Sequence, residues 1–404
     1  LNVTGIIAEY NPFHQGHQYH LEESRRITQA DCVVAVMSGD FTQRGEPTVL
    51  DKWTRAATAV ENGVDLVLEM PFVFACNNAE YFAHGGIAVL AGLGCVTHFC
   101  FGSEQGDINR LVQAAKILSL ETDDFRERIR HFLDLGYSYP KARYEAMAVK
   151  NADEASVLLS PNNILGVEYL KQWLSIPNDM QPVTIKREGA GYHDQNLKKG
   201  KYPSASGIRK FLAETEDRDL LRSLVPEKTF LLMKEKPLLF HAALYPLIFY
   251  KILTSERQEL AAVLSAGEGL ENRLKEALKD ATDLEDLIRR VKSKRYTETR
   301  ICRLLVHTLL DLKKDVFFRF LEEDTLYARV LAFSGRGAEL LRQVKKKEQN
   351  KIPIITNINK DIAWDSPLRE MLSYDVLASD LCNLLRYGEM GRHSDHICRP
   401  YQKP

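Results

Sequence analysis

The chain has 404 residues, 45% hydrophobic and 27% charged, with a formal net charge of −1, which predicts a soluble globular protein of two or three domains. Near-neutrality excludes a uniformly basic surface, so any polyanionic partner must be met by a local basic patch. Seven cysteines, odd in number and without C-x-x-C spacing, argue against a disulfide framework and suggest no zinc site, so a reducing cytoplasm is the expected setting.

The N-terminus reads as a strand, Val3 to Ala8, with no basic leader ahead of it, and no apolar run reaches membrane-spanning length. A helix is expected from about Gly16. "DCVVAVMSGD" is a second strand, "DKWTRAATAVENG" a helix stopped by Gly63, "VDLVLEMP" a third strand, "NAEYFAHGGIAVLAGLG" a helix, and "VTHFCFGS" a fourth strand. Near-continuous apolar strands alternating with helices predict an α/β fold, a doubly wound parallel sheet of Rossmann type covered on both faces. Ligands of such sheets bind beyond the carboxyl ends of the strands. The loops there are "EYNPFHQGH", "SGDFTQRGEP", "EMPFVFACNN" and "FGSEQGD".

Residues 107–150 read as amphipathic helix. "LSPNNILGVEYLKQWL" predicts a turn and a helix starting at Pro161, "PVTIKREGAGYHD" a short strand running into a glycine-containing loop, and "YPSASGIRKFL" a loop entering a helix. From about Val225 to Lys347 helical periodicity dominates with few strand signals. A short apolar run, "IPIITNI", a helix from about Ser366 and an irregular end follow. The expected division is a catalytic domain over residues 1–224 and a mostly α-helical region over 225–404 with a small C-terminal segment.

In "EYNPFHQGH", His14 and His17 fall on one side of a first helical turn, where backbone N–H groups and the helix dipole favour anions. Imidazole N–H groups there can bind triphosphate oxygens as charge moves onto departing pyrophosphate. Gly16 clears room for a phosphate, and Asn-Pro shapes the turn out of the strand. In "SASGIRK", Ser204 and Ser206 at a helix start with Arg209 one turn later can hold phosphates from the opposite side. An ordinary serine N-cap is the competing reading of that stretch alone.

The two motifs together, in this order, resemble those of the HIGH-type nucleotidylyltransferase superfamily. With "MSGDFTQRGEP", "DKWTRAATAVENGVDLVLEMP", "LSPNNILGVEYL" and "KRYTETRICRLL", the chain more specifically resembles the tRNA(Met) cytidine acetate ligase family, from the N-terminus to beyond Leu310. That resemblance implies ATP-dependent activation of acetate to acetyl-adenylate, then acetylation of N4 of the wobble cytidine of elongator tRNA(Met). It implies ATP contacts from Ile7, Ala8, Glu9, Tyr10, Asn11, Pro12, Phe13, His14, Gln15, Gly16, His17, Gln18, Tyr19 and His20, and from Gly102, Asn162 and Arg187. A strand-end turn, a helix N-cap and a solvated strand residue are the alternatives for those last three. A small phosphate-bearing metabolite is the alternative substrate, since H-x-G-H serves such adenylyltransferases too. Whether Mg²⁺ accompanies ATP, and the oligomeric state, stay open.

Asp40 ends the second strand beside the same crevice. It either acts catalytically, orienting a substrate amine or a metal-bound water, or caps the next turn. Gln43, Arg44 and Lys52 follow closely, and Arg44 or Lys52 either neutralises acetate or phosphate or is a surface charge. The dense basic stretch "IRRVKSKRYTETRICRLLVH" holds Arg289, Arg290, Lys292, Lys294, Arg295, Arg300 and Arg303. Helical spacing puts Arg300, Arg303 and His307 on one face, an electrostatic footprint for RNA phosphates or a solvated helix face. The family match in "KRYTETRICR" favours tRNA, with Lys294, Arg295, Arg300 and Arg303 as its contacts. His393, His396 and Cys398 are close in sequence, but their spacing fits no zinc pattern, and no metal site is expected.

Overall fold

The structure is a computed structural model that describes every residue except 121, 188–203, 216, 324, 348–349, 364–365 and 390. The glycine-containing loop expected after Lys186 therefore lies outside the described residues.

Five strands form the expected parallel core: β1 (Val3–Ala8), β2 (Cys32–Ser38), β3 (Leu66–Met70), β4 (His98–Ser103) and β5 (Gln181–Lys186). Their spatial order is β5-β4-β1-β2-β3, with every neighbouring pair parallel. Alternation along the strands divides two cores. Val33, Ala35 and Met37 face one layer with Leu21 of helix Gln15–Thr28 and Ala56, Ala59 and Val60 of helix Lys52–Glu61. Val34, Val36, Leu66 and Leu68 face the other with Ile87 and Leu90 of helix Ala79–Gly92 and Val167 and Leu170 of helix Pro161–Ser175. A strand shows successive side chains to opposite faces, so a run buried at every position needs a helix layer on each side.

The strand order reverses between β1 and β4. The chain leaves β1 toward β2 on one side and enters β4 on the other, which opens a crevice at their carboxyl ends.

Among the described residues between Val225 and Lys347 the helices are joined by one strand, β6 (Ala328–Phe333), which pairs antiparallel with β3. β7 (Ile354–Ile355) and β8 (Tyr401–Gln402), the latter in the end read as irregular, pair parallel with β6. Three strands from beyond residue 225 thus extend the sheet that begins at Val3. "ARVLAF" is a short apolar run, and periodicity cannot separate such a run from a buried helix segment. Its pairing with Leu66–Glu69 decides.

A buried ionic cluster fastens this extension. Lys52 Nζ lies 2.7 Å from Glu69 and 2.6 Å from Asp395, and Arg329 lies 3.0 Å from Glu69 and 2.8 Å from Asp395. Two cations and two carboxylates cancel, and Trp53 Nε1 and Ser379 Oγ donate to the second oxygen of Asp395. The sequence reading of Lys52 as a ligand for acetate or phosphate is corrected here, because its ammonium is fully buried and held by two carboxylates.

Candidate active site

The crevice between β1 and β4 widens into a cavity of about 950 Å³. Helix Gln15–Thr28 starts in its wall. His14 is the N-cap, with extended backbone, and its Nδ1 accepts from the Gly16 N–H at 3.0 Å. His17 Nδ1 accepts in turn from the His14 N–H at 3.3 Å. This is a capping box built from two imidazoles, where Ser or Thr with Glu or Gln more often serve. A neutral ring whose Nδ1 accepts carries its proton on Nε2, so each ring keeps one N–H donor.

Burial, then the Arg187 and Arg209 guanidinium charges, push His14 down to about 3. Burial, then His14 and Arg187, hold His17 well below the ordinary imidazole range, and burial and Arg187 lower His20 to about 4. All three rings are neutral near pH 7.

The turn behind them is tightly held. Tyr10 sits at φ 47°, and the Asn11–Pro12 peptide is cis. Asn11 Oδ1 accepts from the Val49 N–H at 2.9 Å, and the Asn11 carbonyl accepts from Arg209 Nη1 at 3.1 Å. Phe13 packs against both Tyr10 and His17. From the Ile7–His20 segment, Ile7, Ala8, Glu9, Tyr10, His14, Gly16, His17, Tyr19 and His20 line the cavity, whereas Asn11, Pro12, Phe13, Gln15 and Gln18 do not.

Gly102, at the end of β4, supplies a second wall. A Cβ there would stand 3.2 Å from Arg187 Cγ, so the missing side chain lets the arginine stem lie across the strand. Arg187 follows β5, and its N–H donates to Ser103. Asn162 is near the start of helix Pro161–Ser175, where its Nδ2 donates to Glu104 at 2.6 Å. The other Glu104 oxygen accepts from the Asn163 N–H at 2.9 Å. Glu104 was not singled out in the sequence, although it lies in "FGSEQGD", one of the loops at the ends of the parallel strands.

The distant serine motif closes the third side. Ser204 caps helix Ala205–Glu214 by accepting from the Gly207 N–H at 3.1 Å, and Ser206 Oγ lies 3.2 Å from Ser204 Oγ. Arg209 reaches back to Asn11 and to Glu46 at 3.3 Å. Ser204, Ser206 and Arg209 therefore line the same cavity as His14 and His17.

Asp40 lies outside the cavity. Its Oδ1 accepts from the Lys52 N–H at 3.2 Å, burial raises its carboxyl, and Lys52, Arg386 and Arg55 oppose that rise. Of its two sequence readings, the structure displays the one that braces a turn. Gln43 and Arg44 do line the cavity.

The basic stretch divides. Arg295, Arg300 and Arg303 line the cavity, while Lys294 is exposed outside it. Arg303, on helix Glu298–Leu309, donates to the Gln43 carbonyl at 3.1 Å. Arg289 and Arg290 bind Asp286, Lys292 binds Glu298, and Arg295 and Arg300 share Glu268. His307 keeps the helix face of Arg303, but the reading of that face as open to solvent or RNA is corrected at His307, which is fully buried with Nε2 2.6 Å from the Cys76 carbonyl. Helical spacing put His307 near Arg303 but could not show that the sheet domain packs on that part of the helix.

At the C-terminus, His393 stacks on Tyr387 at 3.6 Å and His396 Nδ1 lies 2.7 Å from Asn359 Oδ1. No cluster of three or more His, Cys, Asp or Glu side chains able to hold a metal ion occurs among the described residues. No helix among them is long and apolar enough to cross a membrane.

The family model described as HIGH Nucleotidyl Transferase matches residues 1–395. A tRNA(Met) cytidine acetate ligase of Caldicellulosiruptor saccharolyticus is 40% identical over 403 residues, 97% of this chain and 96% of that one. The ligase of the same name from Clostridium novyi is 38% identical over 369 residues, 90% of this chain and 91% of its own. Among solved structures, apo Thermotoga maritima TmcAL superposes with a TM-score of 0.93 at 33% identity, covering 100% of this chain and 99% of that chain. The Thermotoga maritima TmcAL structure bound with alpha-thio ATP gives 0.90 at 31% identity, with 100% of both chains covered. A match that runs through every wall of the cavity places the chain in the HIGH nucleotidyl transferase family and, within it, among the tRNA(Met) cytidine acetate ligases.

Proposed function

We propose that this chain is an ATP-dependent ligase that acetylates N4 of the wobble cytidine of elongator tRNA(Met). The carrying observation is the meeting of His14, His17, Arg209, Ser204 and Ser206, from two motifs far apart in sequence, at the β1/β4 crevice of a chain with this family membership. The alpha-thio ATP bound by the Thermotoga maritima relative supports ATP as the nucleotide.

An exocyclic cytosine amine is a poor nucleophile, so acetate must first acquire a good leaving group. One acetate oxygen attacks the α-phosphorus of ATP, the bond to the bridging oxygen breaks, and pyrophosphate departs with that electron pair. The amine lone pair then forms the C–N bond while the carbonyl carbon's bond to the AMP oxygen breaks, and the nitrogen gives up one proton. In the first step His14 and His17 offer Nε2–H donors where negative charge accumulates, and preorganised donors in a water-poor site act strongly there. Arg209 and the hydroxyls of Ser204 and Ser206 hold the β- and γ-phosphates from the facing helix start. Arg187 and Gly102 flank the adenosine, with Asn162 held in place by Glu104.

In this reading Asp40 and the Lys52 cluster brace the loops and touch no substrate. Arg295, Arg300 and Lys294 meet the RNA backbone, and the enzyme works in the cytoplasm.

Acetate-dependent exchange of labelled pyrophosphate into ATP tests the first step, and the mass of the product from labelled acetate, ATP and bulk tRNA tests the second. Exchange that ignores acetate and needs a phosphorylated metabolite would overturn the substrate assignment.

A further inference from the structure

Besides the histidine turn, the cavity is lined by residues at three helices: Ala79–Gly92, Tyr139–Ala148 and Pro161–Ser175. A built polar cluster stands there. Glu168, 2% exposed, pairs with Arg143 and lies 3.0 Å from Lys171, which is 3.7 Å from Glu80. Arg143 Nη2 is buried and finds no acceptor among the described residues. A buried N–H left without an acceptor is unfavourable unless a ligand supplies one. Tyr81 and Tyr139 line the cavity on two of these helices. Tyr81 is braced edge-on by Phe317 at 4.8 Å, and Tyr139 is half-exposed.

Resting on the ligase reading above, we infer that this helical wall of the cavity forms the pocket for the acceptor base. Glu168 Oε1 accepts from Arg143 Nη1 and Oε2 from Lys171 Nζ, each oxygen keeping a second lone pair, and with the partnerless Arg143 Nη2 this puts an acceptor next to a donor. Cytosine presents the complement along its pairing edge, an amino donor next to the acceptors N3 and O2, and carboxylates accept from that amine in other nucleic-acid contacts. Uracil would turn its O4 acceptor toward the Glu168 carboxylate, which rejects it by repulsion. A base drawn out of its stack is held by contacts to its pairing edge and by aromatic faces, and the two tyrosines supply such faces.

The route in agrees with this assignment. Arg295 and Arg300 line the same cavity, so a backbone lying along them delivers its base toward the shared space. Glu168 and Arg143 act here as positioning residues for the amine, and the nucleotide site forms the adenylate without them.

Two half-reactions separate the possibilities. Glu168→Gln and Tyr139→Ala are assayed for acetate-dependent pyrophosphate exchange and, in single turnover, for acetyl transfer to tRNA. The expected result is exchange near wild type with unchanged acetate KM, and transfer slowed roughly 10- to 100-fold for Glu168→Gln, the size of one lost charge-assisted hydrogen bond. Tyr139→Ala, on a half-exposed residue that folding tolerates, shows the same split if the buried variant fails to fold. Exchange falling in step with transfer, a raised acetate KM, or unimpaired transfer in both variants would each overturn the assignment. Wild-type protein without acetate-dependent exchange would instead sink the ligase reading itself.

Discussion

The imidazoles of His14 and His17 stand 3.8 Å apart with 30° between their planes, and both Nδ1 atoms are occupied by backbone N–H groups of one helical turn. That single arrangement caps the helix, selects the tautomer and leaves both Nε2–H groups for the ligand. Structural and chemical roles of the pair can therefore be separated by substitution. His14→Asn keeps a good N-cap and loses the Nε2–H donor, so pyrophosphate exchange should fall while thermal stability changes little. His14→Ala loses both, with about 1 kcal/mol of stability gone as well. His17→Ala should slow adenylate formation by about 10²–10³-fold and leave tRNA affinity nearly intact. Equal loss of tRNA binding would show that the turn, and not the chemistry, had failed.

Protonation gives a second check. The unfolded chain takes up protons on these histidines near 6.5, whereas the fold holds His14 to about 3 and His20 to about 4, chiefly by burial. Between those values the unfolded state binds more protons, so stability is full above about pH 6.5 and declines as pH falls toward 4. Melting temperatures across that window should drop for the wild type, with a shallower slope for His14→Asn and His20→Asn. Because the Nδ1 atoms of His14 and His17 already accept backbone N–H groups, neither ring can take a second proton without breaking the cap, so both should bind ATP as neutral Nε2–H donors.

Much of this site was legible because its signals are local. An apolar run, a turn rich in Asn, Pro and Gly, and a helix start identify the β1–His14 junction, and a serine three residues before Gly207 identifies an N-cap. What was illegible depends on closure between distant segments. Lys52 reads as a free cation until Glu69, Arg329 and Asp395 are brought around it from three other elements. β6 reads as ambiguous until β3 pairs with it, and His307 reads as surface until the Cys76 carbonyl caps its ring.

The Lys52 cluster should behave as a structural clasp. Lys52→Met leaves Glu69 and Asp395 buried with one cation between them, and breaking a buried pair in this way costs about 3–5 kcal/mol. Urea denaturation should register that loss, and the segment around Asp395 should become sensitive to limited proteolysis. A variant of wild-type stability that nonetheless lost exchange would return Lys52 to the ligand set.

The two ends of the basic stretch should part company. Arg295 has an exposed side chain paired with Glu268 at 2.9 Å, so Arg295→Gln should weaken tRNA binding and lower the slope of log K against log salt by about 1, with exchange preserved. Arg303 lies in the cavity wall, and Gly45 at φ +79° presses on its backbone, where a Cβ would come within 2.4 Å of the Arg303 nitrogen. This contact docks helix Glu298–Leu309 onto the loop that carries Gln43 and Arg44. Arg303→Gln should therefore reduce exchange and tRNA binding together, and Gly45→Ala should do the same without removing any charge, because it pushes the helix off the loop. Filter binding at several salt concentrations, run beside the exchange assay, resolves the pattern. If Arg303→Gln mirrors Arg295→Gln and Gly45→Ala is silent, the helix contributes charge alone and its seat on the loop is irrelevant to catalysis.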